Sequence, residues 1–345
     1  MFYQQAFWHA LKCYKDLHSK GYTFSHDWCG LLEISYKIAL EKRQDIFEQS
    51  SPWSEELITC VNAKQASVLA GITLKHGGLF MPSAGWIAPA ELVKQLFSAA
   101  EATQYLTIKN QVDVTQLHQQ NDSSWQLTTN KGQINENLVI FCGGAESIKL
   151  NIIDELPLTS VRGQVTTMAT NDHIKNLSTV ICHKGYLTPA HQQQHCIGAT
   201  FEKNSFDIKA TTAGDQYNLT MLEKCLPKLI PWNEQDITSN KARLRCMTPD
   251  HLPMVGAMPN IARHKEIYAH LAKDKNWRYQ EAAPVINNLY MLTGLGARGL
   301  CTAPLLADIL AADLTGGEYP IGKQELFNLS PNRFVIRDII RRKFL

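Results

Sequence analysis

The chain has 345 residues, 44% apolar and 19% charged, with a formal net charge of +2. That supplies a sizeable core, or two domains, and too little charge to imply a nucleic-acid partner from global electrostatics, so any such surface must be local. Nine cysteines without C-x-x-C pairs, and no secretory apolar region near Met1, fit a cytoplasmic protein. The apolar stretch Leu300 to Leu314 contains Asp308 and Asp313 and falls short of the roughly 18 residues of a membrane span.

Met1 to Lys20 reads as an amphipathic helix, with Phe7, Ala10, Leu11 and Tyr14 at helical spacing. Leu31 to Tyr36 alternates as a strand. Lys37 to Glu48 is a polar helix, and another short helix is expected up to Ala70. A strand ends near Pro82, a turn follows at Gly85, and Pro89 opens a helix with Leu92, Leu96 and Phe97 as its buried face. Strands are expected near Tyr105 to Ile108, Val112 to Gln119 and Trp125 to Thr129. The continuous apolar run Leu138 to Cys142 fits a strand covered on both faces. Gly143 and Gly144 at its end would let a ligand approach closely.

Val161 to Val165, Val180 to Thr188 and His195 to Phe201 read as strands of an antiparallel sheet. Asp215 to Leu226 is a helix, Leu244 to Gly256 is extended and proline-rich, and residues 257–284 are a polar insertion. Leu289 to Leu314 is a strand, a tight turn and a helix with Leu306, Ile309, Leu310 and Leu314 on one face. The turn, Gly294-Leu295-Gly296-Ala297-Arg298-Gly299, aims backbone N–H groups and a helix N-terminus at an electron-rich ligand. Its glycines match G-x-G-x-x-G, but the dinucleotide fingerprint needs a second parallel strand and an acidic residue about 20 positions on. Here Gly316-Gly317 ends the helix instead. After a connector from Gly316 to Ser330, Pro331 to Lys343 forms a basic helix with Arg333, Arg337 and Arg341 at successive i+4 positions. Cys182-His183 and His195-Cys196 fall on neighbouring strands, an arrangement more often incidental than metal-binding; no metal is expected.

Several motifs carry a resemblance. Gly77-Gly78, Pro82, Gly85, Pro89, Cys142-Gly143-Gly144, Arg162-Gly163-Gln164 and Gly296…Arg298-Gly299-Leu300…Pro304 together resemble the D-amino-acid oxidase/glycine oxidase superfamily of FAD enzymes. More narrowly, His26-Asp27-Trp28-Cys29-Gly30, Gly185-Tyr186-Leu187-Thr188-Pro189, Asp250-His251-Leu252-Pro253-Met254-Val255-Gly256 and Pro331-Asn332-Arg333 resemble the oxidoreductase module of bifunctional tRNA wobble-uridine-modifying enzymes. The resemblance runs from about Phe2 to Lys343. It implies an α/β fold in which an FAD-binding, D-amino-acid oxidase-like sheet domain interleaves with an antiparallel-sheet substrate domain. The chain would divide into a helix of a partial FAD domain (1–21), a substrate-domain segment (22–76), an FAD-domain segment (77–156), the substrate domain (157–288), the FAD-domain strand–turn–helix (289–316) and a basic tail (317–345). The opening strand, true G-x-G-x-x-G turn and helix of the family are missing, as is a companion methyltransferase module, so the chain is expected to be a truncated copy of a longer protein.

What the resemblance implies chemically is removal of the carboxymethyl group of 5-carboxymethylaminomethyl-(2-thio)uridine at the tRNA wobble position, by hydride transfer to FAD and imine hydrolysis. Arg245 and Tyr186 resemble the carboxylate-anchoring pair of glycine oxidase-like enzymes, with Arg298 beside the flavin. Arginine suits that role because its planar fork gives a carboxylate two charge-assisted hydrogen bonds. Gly78, Val112, Gly143, Gly144, Gly296, Arg298, Gly299 and Leu300 are the implied cofactor contacts; Val112 can equally be plain core. By residue type alone Arg245, beside Arg243, is a solvated strand face and Tyr186 a core-edge aromatic. Arg333, Arg337 and Arg341 are either a solvated helix face or contacts to tRNA phosphates. Two other readings stand beside this one: a glycine oxidase-like oxidase of small amines, and a cofactor-free tRNA-binding remnant.

Overall fold

The computed structural model describes residues 2–50, 53–153 and 155–343. Its largest element is a nine-stranded mixed sheet. Across it run Glu202–Lys203, Thr159–Ala169, Gln194–Gly198, Tyr186–Leu187, Val180–Cys182, Leu31–Ile34, Gly78–Met81 and Thr59–Val61, while Ile237–Met247 lines the other edge of Thr159–Ala169. Strand alternation separates two faces. One buries Leu32, Ile34, Ile181, Leu187 and Ile197 against the helices Ala63–Ala70 and Thr212–Cys225. Each such side chain contributes about 1.5–3 kcal/mol. The other face carries Tyr186, Cys196 and Arg245 and is not part of that core.

The N-terminal helix, Phe2–Ser19, turns Phe2, Ala6, Ala10, Leu11, Tyr14 and Leu17 inward, so the expected stripe forms, with Phe7 only half-buried at its margin. It lies along the helix Gly299–Thr315. The Tyr14 hydroxyl donates to the Leu300 carbonyl at 2.6 Å, and His9 Nε2 meets Asp308 at 2.9 Å. A three-stranded sheet of Met254–Pro259, Val285–Thr293 and Val139–Phe141 feeds that helix, with the last two strands parallel. An antiparallel meander of Val114–Gln119, Trp125–Thr129 and Gly132–Glu136 packs beside it through the buried Trp125, whose Nε1 donates to the Asn287 carbonyl at 3.2 Å.

Several expectations need correction. The helix Pro89–Glu101 buries Leu92, but Leu96 and Phe97 are 40% and 48% exposed, because the core containing Tyr14 and Phe24 meets the helix along Leu92 and Ala99 and leaves both of them outside it. Tyr105 to Ile108 is no strand, and Tyr105 is 97% exposed. The run Leu138 to Cys142 is not covered on both faces: Leu138 and Ile140 are exposed on a strand paired to Leu289–Met291. Val180 to Thr188 is two short strands folded back at Lys184-Gly185, and Val180–Cys182 runs parallel to Leu31–Ile34. The 257–284 insertion has a core of its own, in which Tyr268 and Leu271 pack on Val335 and Ile339 of the C-terminal helix Asn332–Ile340. The expected connector contains a helix, Lys323–Leu329.

Candidate active site

The second face of the large sheet carries a glycine-floored patch that is buried to half-buried. Val165 pairs with Gly198, and Gly198 pairs with Tyr186, so these three residues project from one side. Val161 pairs with Arg245 on the same side. The Tyr186 ring lies across Gly198, where an added Cβ would stand 3.2 Å from its hydroxyl oxygen and 3.4 Å from Cζ. From the opposite direction the Arg245 guanidinium lies across Gly163; a Cβ there would meet Nη1 at 1.8 Å. Two glycines on neighbouring strands thus let the two side chains lie down and converge.

The electrostatics of this pair are unusual. Burial drives the Tyr186 hydroxyl well above the ordinary tyrosine range, the adjacent Cys196 thiol acts the same way, and Arg245 pulls against them. Burial lowers the Arg245 pKa, while Tyr186 favours its charge. Arg245 Nη1 donates to the Thr200 carbonyl at 3.4 Å. Among the described residues no carboxylate pairs with it. A half-buried guanidinium with a carbonyl and a phenol for company is a ready acceptor site for an anionic group.

The glycine turn closes one end of this floor. Gly296 N donates to the carbonyl of Cys246, the neighbour of Arg245, at 2.8 Å, and a Cβ on Gly296 would stand 2.9 Å from Met247 Sδ. Gly294 and Gly296 both have left-handed φ, 72° and 58°, which favours glycine. The turn ends at Arg298, the N-cap of Gly299–Thr315; no side chain caps that helix. Arg298 is exposed, with its guanidinium 4.6 Å from the centre of the Tyr3 ring. The structure therefore brings Arg245 and Tyr186 together and sets Gly296 against the backbone next to Arg245, while Arg298 lies at the Tyr3 ring and Leu300 is held by Tyr14.

The remaining candidates scatter. Val112 and Gly143 share a cleft of about 790 Å³ with Ile140 and Cys142 along the Val139–Phe141 strand. Gly144, at φ 58°, follows directly, with open space where a side chain would be. Gly78 sits elsewhere. It lies in the large sheet, paired with Ile34, and a Cβ on it would stand 2.1 Å from the Glu33 carbonyl oxygen, so its smallness serves strand packing. The tail arginines are engaged internally. Arg333 pairs with both carboxylate oxygens of Asp250, at 2.9 and 3.1 Å, and donates to the carbonyls of Leu252, Leu329 and Ser330. Arg337 pairs with Asp338 and lies over Phe334, leaving Arg341 exposed at the helix end.

Arg162-Gly163-Gln164 divides its labour between the two faces. Arg162, 2% exposed, donates to Glu202 at 2.6 Å and Gln164 at 3.0 Å. Gln164 and Thr166 both donate to Asp215, at 2.9 and 2.6 Å, tying the sheet to the helix Thr212–Cys225. His195 is a core histidine with Nδ1 at the Thr188 carbonyl and Nε2 at Thr170 Oγ1, which leaves neither nitrogen for a ligand. Sequence reasoning named Gly163 only within a motif, without its place beneath Arg245, and missed Gly198 and the Cys196 contact. The alternation of Arg243 and Arg245 opposite Gly163 and Val161 was the available signal.

The family model described as FAD dependent oxidoreductase matches residues 2–313. A curated relative from Pseudoalteromonas atlantica, named tRNA 5-methylaminomethyl-2-thiouridine biosynthesis bifunctional protein MnmC, is 36% identical over 98% of this chain and 51% of its own length. A Shewanella baltica protein of the same name is 33% identical over all of this chain and 50% of its own. The chain thus spans about half the length of the curated relatives it matches. Among solved structures, iminodiacetate oxidase from Chelativorans sp. superposes with a TM-score of 0.75 at 17% identity, covering 96% of this chain and 83% of that one. Glycine oxidase from Geobacillus kaustophilus gives 0.71 at 18%, covering 90% and 78%. With strand, glycine turn, helix and platform all inside the matched span, the chain belongs to the FAD-dependent oxidoreductase family of D-amino-acid oxidase type.

Proposed function

We propose that this chain is the amine-oxidising half of a tRNA wobble-uridine-modifying enzyme, acting on 5-carboxymethylaminomethyl-(2-thio)uridine. The observation that carries the reading is the uncompensated Arg245 guanidinium converging with Tyr186 beside the glycine turn. That arrangement fits a substrate with a carboxylate one carbon from the amine to be oxidised. The relatives' printed names supply the RNA context; the carboxymethylamino arm supplies the carboxylate.

The residues fit the ring end of FAD. The left-handed φ of Gly294 and Gly296 shapes the turn against Thr248 and Met247, and the uncapped helix start at Gly299 would offer N–H groups to the electron-rich edge of the ring. Val112 and Gly143 line the cleft that would take the rest of the group, with Gly144 next in sequence. FAD, when bound, accepts the hydride from the carbon between amine and carboxylate.

The chain's own residues orient and discriminate. Arg245 holds the carboxylate through its fork, fixing which C–H is presented. Tyr186, with its pKa raised, stays protonated at neutral pH and donates a second hydrogen bond to the same group. Arg298 contributes a cation at the rim. Water then adds to the imine carbon and the C–N bond breaks, which leaves an aminomethyl group on the base and releases the two-carbon oxo-acid. In the full-length protein a methyltransferase module would consume that amine.

The test is substrate choice. Chain supplied with FAD is incubated with tRNA bearing the carboxymethylaminomethyl arm, and the nucleosides are separated by chromatography. Accumulation of the aminomethyl nucleoside, far faster than oxidation of free glycine or sarcosine, is expected. Equal rates on the small amines would establish the small-molecule reading instead.

A further inference from the structure

We propose that the rim of this site is an RNA-docking surface in which Lys241, Arg243 and Lys203 hold the phosphates flanking an extruded nucleotide whose base stacks on Phe201. This rests on the tRNA reading above and names the residues that would carry it.

Strand register puts the cations together. Lys241 pairs with Val165, Arg243 with Gly163 and Arg245 with Val161, so all three project from the floor face of the outermost strand. Successive members stand about 7 Å apart. Lys203 also pairs with Val161, from the other edge, and shares that face. Lys203, Lys241 and Arg243 are exposed, and among the described residues none of the three forms an ion pair with a carboxylate. Arg243 Nη1 bonds only its neighbour's carbonyl, Ala242 O, at 2.7 Å. The row therefore climbs from the half-buried Arg245 outward to solvent.

Phe201 adds a second kind of contact. It follows Thr200, whose carbonyl accepts from Arg245, and is 52% exposed. Chemistry on a base requires the base out of its stack, and unstacked bases are held on aromatic rings while cations track the backbone. An exposed phenylalanine beside the carboxylate anchor, flanked by three unpaired cations, has that composition. Arg333 and Arg337, by contrast, are committed to Asp250 and Asp338.

The experiment measures binding of an unmodified anticodon stem–loop RNA by fluorescence anisotropy over a salt series. The proteins compared are the full chain, the double variant Lys241→Gln/Arg243→Gln, Phe201→Ala, and Arg333→Gln as a control. Two lost contacts to single-stranded backbone should flatten the slope of log affinity against log salt by about 1.4. Phe201→Ala should weaken binding roughly five- to 150-fold and leave the slope alone. Arg333→Gln should keep the wild-type slope. Thermal melting confirms that the exposed substitutions leave the fold intact. If the wild type binds and the double variant keeps its slope, or Phe201→Ala keeps its affinity, the surface is overturned while the tRNA reading stands. If the wild type binds no RNA at low salt, both fall.

Discussion

Replacing Gly163 by alanine puts a methyl group where the Arg245 guanidinium lies. The new carbon would stand 1.8 Å from Nη1, 2.4 Å from Cζ and 2.5 Å from Nη2. Non-bonded heavy atoms settle near about 3.5 Å, so the guanidinium must retreat by roughly 1.5–2 Å. The backbone has no objection, since φ at Gly163 lies outside the left-handed region, and the displaced group is the free end of a flexible side chain. Folding stability should therefore change by less than about 1 kcal/mol. A misplacement of about 1 Å in a positioned group can cost about 100-fold, so kcat/KM on the modified tRNA should fall by about that factor, or about 2.7 kcal/mol of transition-state stabilisation. The assay is steady-state formation of the aminomethyl nucleoside, run beside a thermal melt. A Gly163→Ala enzyme with wild-type kcat/KM, in a background where Arg245→Met is severely impaired, would refute the argument that the floor glycine positions the cation.

Two further outcomes follow from buried polar groups. His183 accepts a hydrogen bond from Gly185 N at 3.0 Å through Nδ1, its Nε2 is buried without a partner, and burial pushes its pKa down to about 4. The unfolded chain takes up that proton first, near pH 6.5, so the contribution is full above pH 6.5 and is lost as pH falls toward 4. Denaturant titrations should show the wild type losing about 3 kcal/mol more than His183→Gln across that window; parallel curves would contradict it. Arg333→Gln removes the bonds to Asp250 and three carbonyls from a side chain that is nearly buried. It should lower folding stability by about 3 kcal/mol, read as a drop in denaturation midpoint; an unchanged midpoint would mean the cluster is not structural.

The strand–turn–helix of Leu289 to Leu314 was legible because its signals are local: an apolar run, glycines at turn positions, and leucines at helical spacing. Arg245 and Tyr186 were legible through resemblance alone, since residue type could not separate them from a solvated strand. Their convergence depends on Gly163 and Gly198, which sit on two other strands; only register reveals that they underlie the pair. Leu96, Phe97 and Ile140 failed in the opposite direction. Apolar spacing predicts a buried face, but burial needs a neighbour, and none of the described elements covers these residues. Gly78 failed because a glycine in a motif serves strand packing as readily as cofactor approach. Arg333 and Arg337 looked like a solvent stripe by period, yet Asp250, far away in sequence, claims the first of them.

The proposed chemistry requires Arg245 and Tyr186 to grip one carboxylate. A double-mutant cycle measures this: kcat/KM for the wild type, Arg245→Met, Tyr186→Phe and the combined variant on the modified tRNA. Shared grip predicts that the combined loss falls well short of the product of the single losses, with a coupling of about 1–3 kcal/mol. Losses that simply multiply would mean the two side chains act on separate groups, and the proposed anchor would not exist.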